Sequence, residues 1–244
     1  MLRYPIKVLS VLCLYYILVA IQFISTAYGQ TYECRRAASP IAIDGKFDEA
    51  AWRVANWTNL RENSEDKQIV TPGKFAIIYD TENLYIGYDL KDKNILSGIY
   101  IRDDRLWVQD VAEIFLSPMG YQHVYYEFQF NAVENIRDIV ILHSGKGDEI
   151  NPLADYNSAT QLKVTVNGTL ENNQDTDEGW LAEVAIPFKD LWIASNNPPR
   201  TGDQWKFNVY RIDYGLEEPE MQAWNPAFGP YHSPWKFGTL IFKD

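Results

Sequence analysis

Apolar and polar residues alternate with a period of two in many short segments of this chain. The segment KFAIIY (residues 74–79) is followed by the polar turn DTEN and then by LYIGYDL, which begins at Leu84. Two alternating segments joined by such a turn predict a β-hairpin. Further segments of this kind begin at Val111, Val124, Ile136, Leu162, Trp180, Trp205 and Phe237. Helical spacing is confined to residues 47–55 and the residues after Pro187, so the pattern predicts a mainly β protein.

Turn-forming residues separate these segments at intervals typical of an antiparallel sandwich. The polar stretch 171–179 is interpreted as a hairpin loop, and no linker, internal repeat or low-complexity stretch divides residues 30–244. We therefore predict one all-β domain over residues 30–244. Its expected fold is a single antiparallel, jelly-roll-like β-sandwich of about ten strands with minor short helices.

The first 29 residues differ from the rest. They contain a basic start, a long apolar stretch and the small-residue exit Ala27-Tyr28-Gly29, which predicts a cleavable signal peptide ending before Gln30. An uncleaved membrane anchor is the alternative, since the apolar stretch is about as long as a bilayer-spanning helix. The protein is expected to be secreted, periplasmic or attached to the cell surface, with no membrane span after cleavage. Cys34, the one cysteine after the leader, has no partner for an internal disulfide.

Composition narrows the classes of function. The formal net charge is −11, and removal of the leader, with Arg3 and Lys7, makes it more negative. Such a balance argues against binding to nucleic acid. A hydrophobic fraction of 46% excludes a disordered chain. The aromatic share of 14% is high, so the rings either fill a core or line a surface. Trp52, Trp180 and Trp205 are assigned to the core.

Period two also assigns strand residues to opposite faces of the sheet. Tyr126, Phe128 and Phe130 point towards a core. The other face takes Glu113, Tyr125, Glu127, Gln129, Asn131, Asn208 and Tyr210. Amides, carboxylates and aromatic rings are the side chains that bind sugar hydroxyls and pyranose C–H faces, so we expect Glu113, Gln129, Asn131 and Tyr210 on this face to contact a sugar. An ordinary solvated sheet face is the alternative interpretation.

Catalytic motifs are weak. Asp110 and Glu113 are three residues apart, which places them on opposite faces of a regular strand. The pairs 103–104 and 217–218 lie in loop-like stretches, where solvated charge is the simpler explanation. Nucleophile-elbow, P-loop and dinucleotide-glycine motifs do not occur. A binding protein is therefore favoured over an enzyme, and a glycoside hydrolase remains an alternative.

An ordered set of segments resembles carbohydrate-binding module family 9. The set comprises residues 41–55, 79–92, 106–118, 125–131, 180–188, 205–213, 223–226 and 232–242. The resemblance implies a β-sandwich that clamps a sugar or a polysaccharide chain end between two aromatic side chains. It implies Trp107 as the first ring, in a W-x-x-D-x-x-E motif that ends at Glu113, and Tyr231 as the second. It also places polar sugar contacts at Gln129 and Tyr210, where family members more often have a basic residue and an amide.

The resemblance further implies a structural calcium ion, with Asp44, Asp48 and Asp92 as candidate ligands. Turn capping by these carboxylates is the alternative. No organic cofactor is expected. The expected partner is a polysaccharide or oligosaccharide, with a glycoside hydrolase as a possible associate in polysaccharide capture or degradation.

A haem-binding electron-transfer domain is the remaining alternative, because related sandwich domains of extracellular redox proteins carry haem. Axial pairs of Met119 with His123, or of Met221 with His232, would have to face one cavity. The three histidines otherwise lack the spacing of a zinc site.

Overall fold

The structure is a computed structural model that describes residues 29–64, 68–143, 150–153 and 155–244. Residues 31–244 form one compact unit. The strands are β1 Thr31–Arg36, β2 Thr58–Asn59, β3 Arg61–Glu62, β4 Gly73–Tyr79, β5 Asn83–Lys91, β6 Val111–Ser117, β7 Val124–Phe130, β8 Ile136–His143, β9 Ile150–Leu153, β10 Gln161–Asn167, β11 Gly179–Pro187, β12 Gln204–Asp213, β13 Glu220–Ala223 and β14 Gly238–Lys243. Within the described residues, one α-helix, α1 (Ala50–Val54), and three 3-10 turns at Leu106–Val108, Phe188–Asp190 and Pro234–Lys236 complete the elements.

All fourteen strands join one curled sheet, in the order β10-β11-β5-β4-β1-β14-β12-β6-β7-β8-β9, with β2, β3 and β13 pairing beside this path. The all-β prediction is confirmed, including the hairpin β4–β5 and the hairpin β10–β11. The sheet is mixed rather than purely antiparallel, because β1 lies between β4 and β14 and runs parallel to both. A strand at the start of a domain has no preceding hairpin partner, so its direction is free of the alternation that hairpins impose.

One face of the sheet encloses the main hydrophobic core. Tyr126, Phe128 and Phe130 lie in it, as their alternation predicts. Trp180 and Trp205 are also in this core, and Trp52 is buried in a smaller cluster beside α1. The assignment of these three tryptophans to the interior is confirmed. Most of the aromatic share therefore fills the interior of the protein.

The opposite face of β6, β7 and β12 is not a solvated surface, which corrects one of the two interpretations of the strand pattern. Glu113, Gln129 and Tyr210 are all at least 97% buried. A second hydrophobic cluster covers this face and includes Phe115, Tyr125, Tyr231 and Phe237. Alternation reveals that a strand has two faces, but only the path of residues 214–237 decides that the polar face is also covered.

No helix among the described residues is long and apolar enough to cross a membrane. The predicted leader, residues 1–29, lies outside the described residues except for Gly29. Its cleavage therefore stays a prediction.

Candidate functional site

The candidate site is built on a row of side chains that crosses four neighbouring strands. Tyr210 of β12 pairs with Glu113 of β6, Glu113 pairs with Gln129 of β7, and Gln129 pairs with Arg137 of β8. Residues paired in this way project to the same face of a sheet. The register therefore aligns residues from four separate strands on the face that the second cluster covers.

A cavity of about 480 Å³ opens over this row. It is lined by Trp107, Glu113, Phe115, Glu127, Gln129, Arg137, Ile139, Ile150, Pro152, Ile212, Met221, Tyr231 and His232. Four of the six residues predicted to contact sugar, Trp107, Glu113, Gln129 and Tyr231, thus line a single cavity. The volume is in the range of small-molecule sites, which are typically 300–1,000 Å³.

Different hydrogen bonds position the two aromatic residues that are predicted to form the clamp. Trp107 lies in the 3-10 turn 106–108, and Tyr214 Oη donates a hydrogen bond to its carbonyl at 3.1 Å. Tyr231 lies between β13 and β14, and its hydroxyl donates to the carbonyls of Arg211 (2.7 Å) and Gln222 (3.1 Å). Because the phenol is anchored by two backbone oxygens, the ring is fixed in orientation before any ligand arrives.

Two buried carboxyl groups, Glu113 and Glu127, face the cavity. Gln129 Nε2 donates to Glu127 Oε1 at 2.7 Å and makes a longer contact of 3.4 Å with Glu113 Oε1. Burial raises the pKa of Glu127 to about 7, although the Arg137 guanidinium opposes the shift. Burial and the neighbouring Glu127 raise the pKa of Glu113 well above its ordinary value. Burial therefore favours the protonated form of both carboxyl groups.

Arg137 and Glu127 line the cavity but were not among the residues predicted to bind sugar. The Arg137 guanidinium carbon lies 5.0 Å from the centre of the Trp107 ring, a cation–π contact. Arg137 occupies the strand position beside Gln129, where family members more often carry the basic residue. The sequence could have identified Arg137, because segments 124–130 and 136–143 form a hairpin in which Gln129 pairs with Arg137.

Tyr210 and Asn131, also predicted to contact sugar, are not among the residues that line the cavity. The Tyr210 ring lies beneath Tyr231, and its hydroxyl donates to the Tyr231 carbonyl at 3.0 Å. Asn131 donates to the Ile99 carbonyl at 2.8 Å and accepts from the Asn135 amide at 2.8 Å. The polar atoms of both side chains form hydrogen bonds with other protein groups. The strand pattern does not predict the loops that supply these groups.

The two pairs of residues considered as haem ligands differ in their position relative to the cavity. Met221 and His232 both line the cavity. The imidazole nitrogens of His232 face protein groups, with Nδ1 2.9 Å from the Tyr125 hydroxyl and Nε2 3.7 Å from Glu127 Oε2. Met119 and His123 are not among the residues that line this cavity. Haem ligation by His232 would therefore require its present contacts to be broken.

A second polar cluster joins Asp92, Asp110 and Asp213, whose carboxylate oxygens lie within 4.8 Å of one another. Arg211 Nη2 is 3.2 Å from Asp92 Oδ2 and 2.9 Å from Asp213 Oδ2, and all three side chains of these two ion pairs are inaccessible to solvent. Burial, followed by the charge of Asp92, raises the pKa of Asp110 to about 8. Burial and Asp213 raise the pKa of Asp92 to about 6. One guanidinium thus lies among three buried carboxyl groups, and burial favours the protonated form of Asp92 and Asp110.

Asp44 and Asp48, predicted with Asp92 as metal ligands, do not belong to this cluster. Asp44 accepts hydrogen bonds from the Lys46 amide and ammonium, each at 3.1 Å. The Asp48 carbonyl accepts from Arg53 at 3.1 Å. Among the described residues, Asp92 is the one member of the predicted set that lies in a group of three metal-ligating side chains.

Comparison with known proteins agrees with this architecture. The family model for the carbohydrate family 9 binding domain-like proteins matches residues 43–244. No curated protein sequence matches the chain significantly.

Solved structures share the fold at low sequence identity. A structure described as a carbohydrate-binding protein of Bacteroides uniformis superposes with a TM-score of 0.69 at 18% identity, covering 88% of this chain and all of its own. A family 9 carbohydrate-binding module of Caldicellulosiruptor kristjanssonii in complex with cellotriose gives a TM-score of 0.61 at 17% identity, covering 88% of this chain and 94% of the module. Its complex with glucose gives 0.59 at 17% identity, with 88% and 96% covered. The chain belongs to the carbohydrate family 9 binding domain-like family.

Proposed function

We propose that the protein binds a saccharide in the cavity between Trp107 and Tyr231. The observation that carries the proposal is the convergence of Trp107, Glu113, Gln129 and Tyr231 on one cavity from four different elements. Aromatic rings bind the C–H face of a pyranose, while carboxyl and amide groups hold its hydroxyls. Family membership and neighbours crystallised with cellotriose and glucose support the same class of ligand.

Unpartnered polar atoms support a hydroxyl-rich ligand. Glu127 Oε2, Gln129 Oε1 and Arg137 Nε are buried and have no hydrogen-bond partner in the protein. Buried polar groups rarely remain without partners, because desolvation without compensation costs about 1–3 kcal/mol each. Two acceptors and one donor in the same cavity match sugar hydroxyls, which both donate and accept.

Binding is tested by titrating the protein with soluble glucans, xylans and their oligosaccharides, followed by calorimetry and tryptophan fluorescence. Trp107→Ala is expected to weaken binding by about tenfold or more, because it removes one stacking face. Trp192→Ala is the matched control, since Trp192 is 62% exposed and is not a lining residue of the cavity. Unchanged affinity in Trp107→Ala would contradict the aromatic clamp, and failure of every saccharide to bind would contradict the function.

Glycoside hydrolysis is the second candidate, favoured by one specific observation. Glu113 and Glu127 contact the same amide nitrogen, and burial raises the pKa of both carboxyl groups. Two neighbouring carboxyl groups, one acting as acid and the other as nucleophile, are the arrangement that retaining glycosidases use. Release of reducing sugar from a polysaccharide panel, abolished in Glu113→Gln, would establish this activity. Saccharide binding without any turnover would leave binding as the function.

Structural calcium remains a prediction of the family resemblance, and the acidic cluster fits the ion. Asp92, Asp110 and Asp213 offer carboxylate oxygens, the donors that calcium prefers. Binding of the ion would displace the protons that the raised pKa values of Asp110 and Asp92 favour, and Arg211 would then balance one of three negative charges and a divalent cation the other two. These three aspartates would hold the ion, which would supply the missing positive charge in the interior.

Export belongs to the same proposal and depends on residues 1–29. N-terminal sequencing of the protein recovered from its native compartment should begin at Gln30. A saccharide-binding protein outside the cytoplasm would capture polysaccharide, alone or beside a glycoside hydrolase. Co-purification of a hydrolase with the exported protein would distinguish the second arrangement from the first.

A further inference from the structure

An aliphatic patch lies beside the polar row of the cavity. The patch consists of Ile139, Ile150 and Pro152, which line the same cavity as the two aromatic residues of the clamp. Ile139 belongs to β8, and Ile150 and Pro152 belong to β9, which pairs with β8 at the end of the strand order. Ile139 is buried in the second hydrophobic cluster, and Ile150 packs against that cluster. The patch therefore extends the floor of the cavity beyond the polar row.

An unsubstituted saccharide offers nothing that suits this patch. Its exocyclic groups are mainly hydroxyls, and a hydroxyl that leaves water for an aliphatic surface loses hydrogen bonds without replacement. Trp107 and Tyr231 already supply aromatic faces for the C–H face of a pyranose. The cavity volume of about 480 Å³ is in the range of pockets that enclose drug-sized ligands, so it has room for a substituent on the sugar ring.

A buried hydrogen-bond donor lies next to the patch on β8. Arg137 Nε is buried and has no hydrogen-bond partner among the described residues. The guanidinium is held in place, because its Nη1 donates to the Asp103 carbonyl at 2.5 Å and its carbon lies 5.0 Å from the centre of the Trp107 ring. Arg137 and Ile139 are two residues apart, so both side chains project from the same side of the strand. A ligand carbonyl attached to a methyl group matches this combination of a donor and an aliphatic surface.

Resting on the proposed saccharide-binding function, we infer that the cavity prefers acetylated saccharides, whose carbonyl accepts a hydrogen bond from Arg137 Nε and whose methyl group packs against the aliphatic patch. Trp107 and Tyr231 hold the sugar ring. Glu127 Oε2 and Gln129 Oε1, which are buried acceptors without partners, remain for its hydroxyls. An O-acetyl ester and an N-acetylated amine share the carbonyl and the methyl group. Arg137 and the patch are then the features that determine specificity.

The same chemistry distinguishes an acetyl group from other substituents. An alkyl group of similar size covers the patch but leaves Arg137 Nε without a partner, and an unpaired buried donor is unfavourable. A carboxylate substituent would bring a negative charge towards Glu113 and Glu127 and would leave water for an aliphatic surface. An acetyl group is neutral, so the preference for it should not decrease with added salt.

Two matched pairs of ligands test the inference. The first pair is acetylated xylo-oligosaccharides and the same oligosaccharides after mild alkaline deacetylation, and the second is the N-acetylglucosamine dimer and cellobiose. Calorimetric titration at pH 7 should show that the acetylated member of at least one pair binds about tenfold more tightly, from one buried methyl group and one hydrogen bond. The pair that shows the preference distinguishes an ester from an amide as the natural group.

Two variants separate the patch from the donor. Ile150→Thr places a hydroxyl in the patch at a partly buried position, and Arg137→Lys keeps the positive charge but removes Nε. Each should reduce the preference to within about threefold. Leu153→Thr is the matched control, because Leu153 lies on the same strand, is 44% exposed and is not a lining residue of the cavity. It should retain the preference, and melting curves verify that all three variants fold.

The outcomes separate this inference from the proposed function. Equal or weaker binding of the acetylated member in both pairs would overturn the inference and leave saccharide binding intact. A full preference retained in both Ile150→Thr and Arg137→Lys would overturn the contacts assigned to the acetyl group. Failure of these four ligands and of every other saccharide to bind would overturn both the inference and the function.

Discussion

The ring of Tyr231 lies parallel to the ring of Tyr210, with centroids 4.0 Å apart and an interplanar angle of 16°. Tyr210 belongs to β12 and is completely buried, whereas Tyr231 lines the cavity. One face of the cavity-lining ring is therefore supported by a residue of the sheet. The family resemblance pointed to both residues as sugar contacts, but Tyr231 lines the cavity and Tyr210 lies behind it.

Removal of the support should separate stability from binding. Tyr210→Ala is expected to destabilise the fold by about 3–5 kcal/mol, as truncation of a buried aromatic ring does. Tyr210→Phe retains the ring and loses only its hydrogen bond to the Tyr231 carbonyl, so it should cost about 1 kcal/mol and leave saccharide affinity within about twofold. Urea unfolding and calorimetric titration measure the two effects. A large affinity loss in Tyr210→Phe would indicate that the hydroxyl contacts the ligand directly.

Glu127 should make stability depend on pH in a predictable direction. Its pKa rises to about 7 in the fold from an ordinary value of 4.5, so the fold favours its protonated form. The stability contributed in this way is complete below about pH 4.5 and is lost as pH rises through 7, a change on the order of 3 kcal/mol. Melting temperatures of the protein and of Glu127→Gln between pH 4 and 9 measure this contribution. The melting temperature of the variant should rise relative to that of the unmodified protein as pH increases. A constant difference between the two melting temperatures would contradict the prediction.

Calcium should stabilise the fold through Asp110. If the cluster binds the ion, calcium at about 100 times its dissociation constant adds about 2.7 kcal/mol to the free energy of unfolding. That gain corresponds to several degrees in melting temperature for a chain of this size, and a chelator should reverse it. Asp110→Asn should lose the response to calcium, whereas Asp48→Asn should keep it.

The outcomes distinguish two ligand sets. Loss of the response in Asp48→Asn, with Asp110→Asn unaffected, would restore the set that the family resemblance implies. The absence of any calcium response in the unmodified protein would contradict both sets.

Arg211 should be far more important for stability than an exposed arginine. It is ion-paired with Asp92 and Asp213 in a region without solvent access, and its Nη1 donates to the Thr71 carbonyl at 2.6 Å. Arg211→Met leaves two buried carboxylates without their counter-charge, which should cost about 3–5 kcal/mol in urea unfolding. Arg35→Met removes an exposed pair with Glu33 and should change stability by less than about 1 kcal/mol. Equal effects of the two substitutions would contradict the role assigned to Arg211.

The local pattern of apolar and polar residues was sufficient to predict contacts between segments that are neighbours along the chain. The hairpin β4–β5 follows from two alternating segments and a DTEN turn, and the side on which Phe128 and Phe130 pack follows from period two. The pattern did not predict the short strands β2, β3, β9 and β13, because two to four residues are too few to establish a period. The pattern also did not predict strand β1, because its partners β4 and β14 are distant in the sequence.

The sequence by itself determined the all-β class, the burial of Trp52, Trp180 and Trp205 and, through family resemblance, a set of predicted sugar contacts of which four line one cavity. Only the tertiary structure decided that Tyr210 supports Tyr231, that Arg137 and Glu127 join the cavity, and that Asp92 is grouped with Asp110 and Asp213. The physical reason is that alternation specifies the side of a strand on which a residue lies. Which distant segment covers that side is fixed by the register between strands and by the path of the loops.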